Sequence, residues 1–138
     1  MTTASELLRQ HLRLLVEDNA AWQKLIADDI VWELPYAAGI GHPTRLSGRG
    51  EVFRHASWFV GAVADFRFFD LRLMAGENPE QAVAQVRAEG LIKLTGRIYQ
   101  QEYIVFLDAR EGRIAHLREY FDPVQAAKAL DATIVGLD

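Results

Sequence analysis

The chain of 138 residues has no cysteine, which excludes disulfide bonds, thiolate nucleophiles and cysteine-ligated metals. It also has no excess of basic residues, since 15 lysines and arginines stand against 19 aspartates and glutamates, for a formal net charge of -4. A surface that tracks a phosphate backbone is therefore not expected, nor is a nucleic acid partner. Its four histidines are dispersed and no His-Glu-x-x-His pattern occurs, so we expect no metal site.

Long hydrophobic runs are missing too. No uninterrupted apolar segment approaches the roughly 18 residues of a membrane-spanning helix. Glu6 and Arg9 interrupt the first apolar segment, unlike a signal peptide. We therefore expect no membrane partner and a cytoplasmic location. Half of the residues are hydrophobic and a quarter are charged, which is typical of a globular protein, and the length fits a single domain over 1–138.

Hydrophobic periodicity and turn residues predict two helices, a strand, a helix, four successive strands and a short terminal helix. Thr3 and Glu6 form the pattern of a capping box before the first helix, and Pro123 can open the last one. The predicted strands lie at 30–34, 66–74, 82–94 and in a closing hairpin over 97–121, with a loop at 36–50 and a helix at about 49–63. Strands joined by short turns predict an antiparallel sheet that helices cover on one face, an α+β fold.

The closing hairpin places a carboxyl group in a row of apolar side chains. Alternation along its second strand puts Ala115, Leu117, Glu119 and Phe121 on one face and Ile114, His116, Arg118 and Tyr120 on the other. A carboxylate in apolar surroundings must find a donor or a cation, or raise its pKa and stay neutral. Glu119 is therefore a candidate catalytic acid or base. The alternative is a structural glutamate, paired with an arginine or lying at the sheet edge.

The length of the hairpin loop decides which face Glu119 occupies. A loop of three or five residues within about 108–112 places Glu119 opposite Gln101 or Tyr103, on the face that also carries Tyr99. An even loop would change that face. Under the odd register two phenols and an amide surround one carboxyl group, a set that can hold a proton and orient a carbonyl.

Two helices carry a histidine on their apolar stripe. His55 shares its stripe with Val52 and Phe59, so it faces the sheet, and its ordinary pKa near 6.5 suits proton transfer at neutral pH. A histidine bonded to a backbone carbonyl is the alternative. His11 matches no motif, and we expect it to be packed in the core or at an interface.

Large aromatic side chains are candidates for the wall of a binding pocket, with ordinary core packing as the alternative for each. These residues are Trp32, Tyr36, Trp58, Phe59 and Tyr103, and Gln101 joins them under the odd hairpin register. The glycines at 48 and 50 do not form a phosphate loop, because no Lys-Ser or Lys-Thr pair follows them.

Element order and three segments together resemble the nuclear transport factor 2-like superfamily over nearly the whole chain. The segments are Asp-Asp-Ile-Val-Trp-Glu-Leu-Pro at 28–35, Leu-Ser-Gly-Arg-Gly-Glu-Val at 46–52 and Arg-Glu-Tyr-Phe-Asp-Pro at 118–123. This resemblance implies a cone in which a curved antiparallel sheet wraps around N-terminal helices and leaves a deep pocket. Ketosteroid isomerases, SnoaL-like polyketide cyclases and pure binding proteins share that shape, so it leaves the chemistry open.

Within the superfamily the chain is most similar to the phenazine-biosynthesis A/B proteins. The similar residues are His55-Ala-Ser-Trp58, Tyr99, Gly112-Arg-Ile114 and Arg118-Glu-Tyr120. The resemblance implies His55 and Glu119 as an acid/base pair and Tyr99 as a hydrogen-bonding group. Phe59 replaces that family's helix serine, which implies a more apolar pocket and a different ligand. Leu34 replaces the aspartate base of the ketosteroid isomerases, which argues against steroid isomerisation by their mechanism.

The sequence thus leaves three functions open. The first is an acid/base enzyme without cofactor, of isomerase, cyclase, dehydratase or condensation type, acting on an apolar cyclic carbonyl compound. The second is a protein that only binds a small apolar or aromatic molecule, with Glu119 as an anchor. The third is a structural domain whose pocket is filled by its own side chains. In each case the mixed strand face with Ile114, His116, Arg118 and Tyr120 predicts a homodimer of sheets packed back to back.

Overall fold

A computed structural model describes residues 2–136, and its helices and strands confirm the predicted α+β class. The elements are α1 (Ala4–Glu17), α2 (Asn19–Gln23), β1 (Ile26–Glu33), a 3₁₀ turn (Ala37–Ile40), β2 (Arg45–Ser47), α3 (Gly48–Ala62), β3 (Val63–Ala75), β4 (Gln81–Ile92), β5 (Ile98–Arg110), β6 (Arg113–Phe121) and α4 (Pro123–Leu130). The first strand begins four residues earlier than predicted, and the predicted loop at 36–50 contains the 3₁₀ turn, β2 and the start of α3.

Two predicted helix starts carry the expected caps. The Thr3 hydroxyl accepts a hydrogen bond from the Glu6 N–H at 3.2 Å, and the Glu6 carboxylate accepts one from the Thr3 N–H at 3.2 Å. The predicted capping box is therefore present at the start of α1. At the start of α4, the Asp122 carboxylate accepts from the Val124 N–H at 2.9 Å, and Pro123 occupies the first helical turn.

The six strands form one curved sheet in the order β2-β1-β6-β5-β4-β3. The run from β3 to β6 is antiparallel as predicted, and β1 is antiparallel to β2. The prediction of a wholly antiparallel sheet was wrong at one place, since β1 lies parallel to β6. Helix α3 and four other strands separate β1 from β6 along the chain, so the last strand can return in the direction of the first. Helices and sheet enclose a core that includes Leu7, Leu8, Trp22, Ile26, Ile30, Val52, Leu107, Ile114 and Leu117.

Two bulges bend β3 around the core. Its register against β4 shifts by one residue between Ala64 and Arg67 and again between Phe69 and Arg72. Each interval contains an aspartate in the left-handed region, Asp65 and Asp70, both with φ of 54°. An extra residue in one strand bends it and increases its twist, which brings one end of the sheet over the helices.

A third bulge decides the face of Glu119. The hairpin turn holds two residues, Glu111 and Gly112, with φ of 53° and 75°. Such an even loop alone would have turned Glu119 outward. Ala115 is an extra residue in β6, however, because Ala109 pairs with Ile114 while Asp108 pairs with His116. This insertion restores the inward face.

The register therefore differs from the predicted one although the predicted face is correct. Glu119 lies opposite Val105, not Gln101 or Tyr103, and Phe121 lies opposite Tyr103. The bulge also reverses the face of Ile114, which is fully buried in the core rather than on the outer face. The remaining members of the predicted outer row, at 116, 118 and 120, are partly or fully exposed.

The hairpin turn offers a test of its backbone conformation. Glu111 is a side-chain-bearing residue at positive φ, where asparagine is tolerated better. We expect Glu111→Asn to raise the free energy of unfolding by up to about 1 kcal/mol. Urea denaturation measures the change, with Glu80→Asn as a control in an exposed turn residue that lacks positive φ. An equal increase in the free energy of unfolding of both variants would show that the positive φ of Glu111 is not the cause.

Candidate functional site

A cavity of about 80 Å³ opens between α3, the 3₁₀ turn, α4 and the concave face of the sheet. Most of its wall is apolar, and its polar lining residues are His42, His55, Tyr99, Tyr103 and Glu119. A second cavity of about 40 Å³ lies toward α1, and four residues line both cavities: His55, Phe59, Tyr103 and Glu119. Among the described residues, no lysine, arginine or aspartate lines either one.

Glu119 projects from β6 into the boundary between the two cavities. Part of its surface faces the cavity space, yet its carboxyl group receives no hydrogen bond or ion pair from the side chains and backbone of residues 2–136. Burial raises the pKa of Glu119 from 4.5 to about 8. The carboxyl group is therefore mostly protonated at neutral pH and can donate as well as accept a hydrogen bond.

His55 reaches the same space from α3. Its ring packs edge-on against Trp32 with centroids 5.4 Å apart and tilts against Trp58 at 5.8 Å. Burial, with a smaller effect of His42, lowers the pKa of His55 below 6.5. The imidazole is thus neutral at pH 7, with one nitrogen able to accept a proton. The structure thus places both predicted acid/base residues, His55 from α3 and Glu119 from β6, on the lining of the same two cavities.

Tyr99 and Tyr103 point from β5 into the cavity and meet at their hydroxyl groups, whose oxygens are 2.9 Å apart. Four residues along a flat strand span roughly 13 Å, so the two phenols lean toward each other on the concave side. Burial raises the pKa of Tyr99 to about 12 and that of Tyr103 well above 10.0. Both phenols are neutral donors at physiological pH.

Gln101 lies between Tyr99 and Tyr103 along β5, but its side chain does not reach either cavity. It is buried and is absent from the walls of both cavities. Its amide is used by hydrogen bonds to the backbone of Glu102 and Asp122 and to the Tyr99 hydroxyl. The predicted direct ligand contact of Gln101 is therefore not available in this geometry, because its donors and acceptor are already engaged.

The predicted aromatic wall is present in part. Trp32 lines the smaller cavity toward α1, called the inner cavity below, and Phe59 lines both cavities. Trp58 lines the larger, outer cavity, and its ring lies 5.6 Å from that of His42. Tyr36 lies outside both cavities. It follows Pro35 at the entry of the 3₁₀ turn, is 53% exposed and packs edge-on against Tyr120.

Several residues that line the larger cavity were not predicted as site residues from the sequence. They are Leu34, Ala37, Ile40, His42, Pro43, Ala62, Val63, Ile92, Phe121, Ala126 and Leu130. Some belong to the segment predicted as a featureless loop and others to α4, which closes one side of the cavity. Apolar residues of this kind carry no motif, so only the assembled fold identifies them.

His11 and His116 lie away from this site. His11 is buried in the core, where it accepts a hydrogen bond from the Trp22 indole at 2.9 Å, and burial lowers its pKa to about 4. His116 lies on the outer face of the sheet, 2.5 Å from a Glu33 carboxylate oxygen. Across residues 2–136 no three histidine, aspartate or glutamate side chains gather in a way that could hold a metal ion. None of the helices in that range is both long and apolar enough to span a bilayer.

Comparison with known proteins defines the class: residues 8–117 match the SnoaL-like domain, and the chain belongs to this NTF2-like family. It is 31% identical over 128 residues to the PhzA/B-like protein PA3332 of Pseudomonas aeruginosa, covering 92% of this chain and 89% of that protein. A proposed isomerase from Bacillus subtilis has a TM-score of 0.85 at 25% identity, covering 96% of this chain and 95% of its own. A proposed polyketide cyclase from Xanthomonas campestris pv. campestris shares the fold, with a TM-score of 0.79 at 18% identity and coverage of 92% and 96%. The predicted resemblance is confirmed.

The buried carboxyl group predicts a particular dependence of stability on pH. Because the folded-state pKa of Glu119 is raised from 4.5 to about 8, its contribution to stability is complete below 4.5 and is lost as pH rises through 8. We expect the free energy of unfolding of wild type, relative to Glu119→Gln, to fall by up to about 1.4 kcal/mol per pH unit in that interval and then level off.

Denaturation in guanidinium chloride at pH 5, 6.5, 8 and 9 measures this difference. Glu102→Gln, on the exposed outer side of β5, is the matched control for removal of a carboxylate. A wild-type minus Glu119→Gln difference that stays constant over this range would show that the carboxyl group is not desolvated.

Proposed function

We propose that this protein is an acid/base enzyme, working without a cofactor, that moves a proton on a small apolar cyclic carbonyl compound. The observation that carries the proposal is the unpartnered carboxyl group of Glu119, whose pKa is raised to about 8, on a cavity wall without charged neighbours. A structural glutamate would be expected to have a cation or donor nearby. A catalytic one instead keeps its hydrogen-bonding capacity for the ligand.

The proposed chemistry uses two neutral partners. The protonated Glu119 donates its proton to the substrate carbonyl oxygen while neutral His55 removes a proton from the carbon next to the carbonyl, which gives an enol and leaves the net charge of the site unchanged. A phenol of the Tyr99–Tyr103 pair stabilises the developing enolate oxygen by hydrogen bonding. The imidazolium of His55 then returns its proton to another carbon in an isomerisation, or to a departing hydroxyl group in a dehydration. The Glu119 carboxylate takes back the enol proton, so that both residues regain their starting protonation states.

The family comparisons support this reaction class without specifying the substrate. Relatives described as an isomerase and a polyketide cyclase share the fold, and the polyketides of the second name are carbonyl-bearing compounds. In this chain Phe59 lines the cavity where the phenazine-type pattern has a serine, which favours an apolar ring as the ligand.

The reaction can be tested by deuterium exchange. We expect wild type in D₂O to accelerate exchange of the protons next to the carbonyl in 2-cyclohexenone or 1-tetralone, as measured by ¹H NMR. The rate should decline above pH 8 as Glu119 ionises and decline again below 6.5 as His55 becomes protonated. Glu119→Gln should lower it by at least a hundredfold while the far-UV circular dichroism stays unchanged.

Glu102→Gln again serves as the control variant and should exchange like wild type. Equal exchange rates in wild type and Glu119→Gln would refute the catalytic role of the carboxyl group. Saturable ketone binding without exchange between pH 5 and pH 9 would instead favour the second function, a binding protein. The unpartnered state of Glu119 is compatible with such an anchor as well.

We also propose that the protein acts as a homodimer through the outer face of the sheet. An apolar patch there consists of the cross-strand pairs Val83–Phe106 and Ile104–Tyr120, with Phe106 43% exposed. Burial of such a patch against its symmetry mate would form an isologous interface. The cytoplasmic location stays a prediction from the sequence.

Light scattering at micromolar concentration tests the assembly. We expect a particle of twice the chain mass for wild type and a particle of single chain mass for Phe106→Asp, because an unpaired carboxylate would be buried in the interface. Ser57→Asp, on an exposed position of α3, is the control. A single chain mass for wild type would exclude the proposed dimer at that concentration.

A further inference from the structure

The amide of Gln101 has only one possible orientation. Its Oε1 lies 3.0 Å from the Glu102 N–H nitrogen and 2.8 Å from that of Asp122, and a backbone N–H can only donate. Its Nε2 lies 3.0 Å from the Asp122 carbonyl oxygen, which can only accept. The remaining Nε2 hydrogen points to the Tyr99 hydroxyl oxygen at 3.1 Å. Gln101 is therefore a donor to Tyr99 in every allowed arrangement.

This fixed donor can be continued through the tyrosine pair. The Tyr99 oxygen accepts the Gln101 hydrogen and lies 2.9 Å from the Tyr103 oxygen, where either hydroxyl can donate, and donation by Tyr99 extends the row of donors that Gln101 begins. Tyr103 then accepts from Tyr99, and its own hydrogen has no partner within the described network. Hydrogen bonds arranged head to tail in this way polarise each other and strengthen the last donor.

We propose that Tyr103, rather than Tyr99, donates the hydrogen bond to the ligand, and that Gln101 and Tyr99 are positioning residues behind it. Tyr103 lines both cavities, as Glu119 does, whereas Tyr99 lines only the outer one. Tyr103 pairs with Phe121, two residues beyond Glu119 on the same face, so the phenol and the carboxyl group are diagonal neighbours.

The arrangement also narrows the ligand class. At neutral pH the Tyr103 hydroxyl and the protonated Glu119 carboxyl both offer a hydrogen toward the same boundary region. The matching group is an oxygen that accepts two hydrogen bonds, such as a ketone or an enolate. A carboxylate lacks a cation among the described lining residues, and an ammonium group would face two donors. This inference rests on the proposed function, since it assigns roles within the same site.

Infrared spectroscopy of a bound ketone tests the assignment. The probe is 2-cyclohexenone labelled with ¹³C at the carbonyl, whose stretching frequency falls when its oxygen accepts hydrogen bonds. We expect a large downward shift in wild type, loss of most of it in Tyr103→Phe with about fivefold weaker binding, and a smaller reduction in Tyr99→Phe. Gln101→Met should resemble Tyr99→Phe, and circular dichroism reports whether each variant folds.

The outcomes separate the inference from the function on which it rests. Retention of the shift in Tyr103→Phe together with its loss in Tyr99→Phe would overturn the inference, while deuterium exchange in wild type could still stand. A shift that depends on Tyr103 in a protein without deuterium exchange would support the inference and reject the enzyme. Absence of any carbonyl shift in wild type at saturating ketone would overturn the inference outright, and tighter binding of benzylamine than of the ketone would overturn the ligand class.

Discussion

The whole site depends on which side chains of β6 face the cavity and which face outward. Successive side chains of a strand face opposite sides, so one inserted residue decides whether Glu119 lies in the cavity or on the outer surface. Ala115 is that residue. It compensates the two-residue turn before it, and the same insertion sends Ile114 into the core. The bulge at Ala115 therefore determines both the burial of Ile114 in the core and the position of the Glu119 carboxyl group, so a change of register would alter both together.

The cavity achieves acid/base capacity without net charge. Glu119 and His55 both have pKa values displaced by burial, upward for the carboxyl group and downward for the imidazole, so that both are mostly neutral at pH 7. Two neutral phenols complete the polar set. An apolar ligand can enter such a space without separating an existing ion pair, and charge develops only during proton transfer, when it is stabilised by oriented donors.

The sequence is sufficient for the element order, the capping box and the inward face of His55, because these follow from local periodicity, whereas the inward face of Glu119 depends on the inserted Ala115. It is insufficient for the bulges in β3 and β6, which arise where a curved sheet must remain in register with its neighbours over long distances. Asp65 and Asp70 within an apolar strand are the only local signs of that bending. Tyr36 and Gln101 illustrate the same limit: correct residue type and correct face do not reveal whether a side chain is already engaged by the backbone of another element.

Asp122 contacts both α4, which forms part of the cavity wall, and Gln101, which donates to the tyrosine pair. Its side chain caps α4, and its backbone N–H and carbonyl hold both ends of the Gln101 amide. Helix α4 also supplies Ala126 and Leu130 to the cavity wall. The same residue therefore holds the first turn of α4 and the amide that donates to Tyr99, so a substitution that displaces the Asp122 backbone would disturb the helix and the tyrosine pair together.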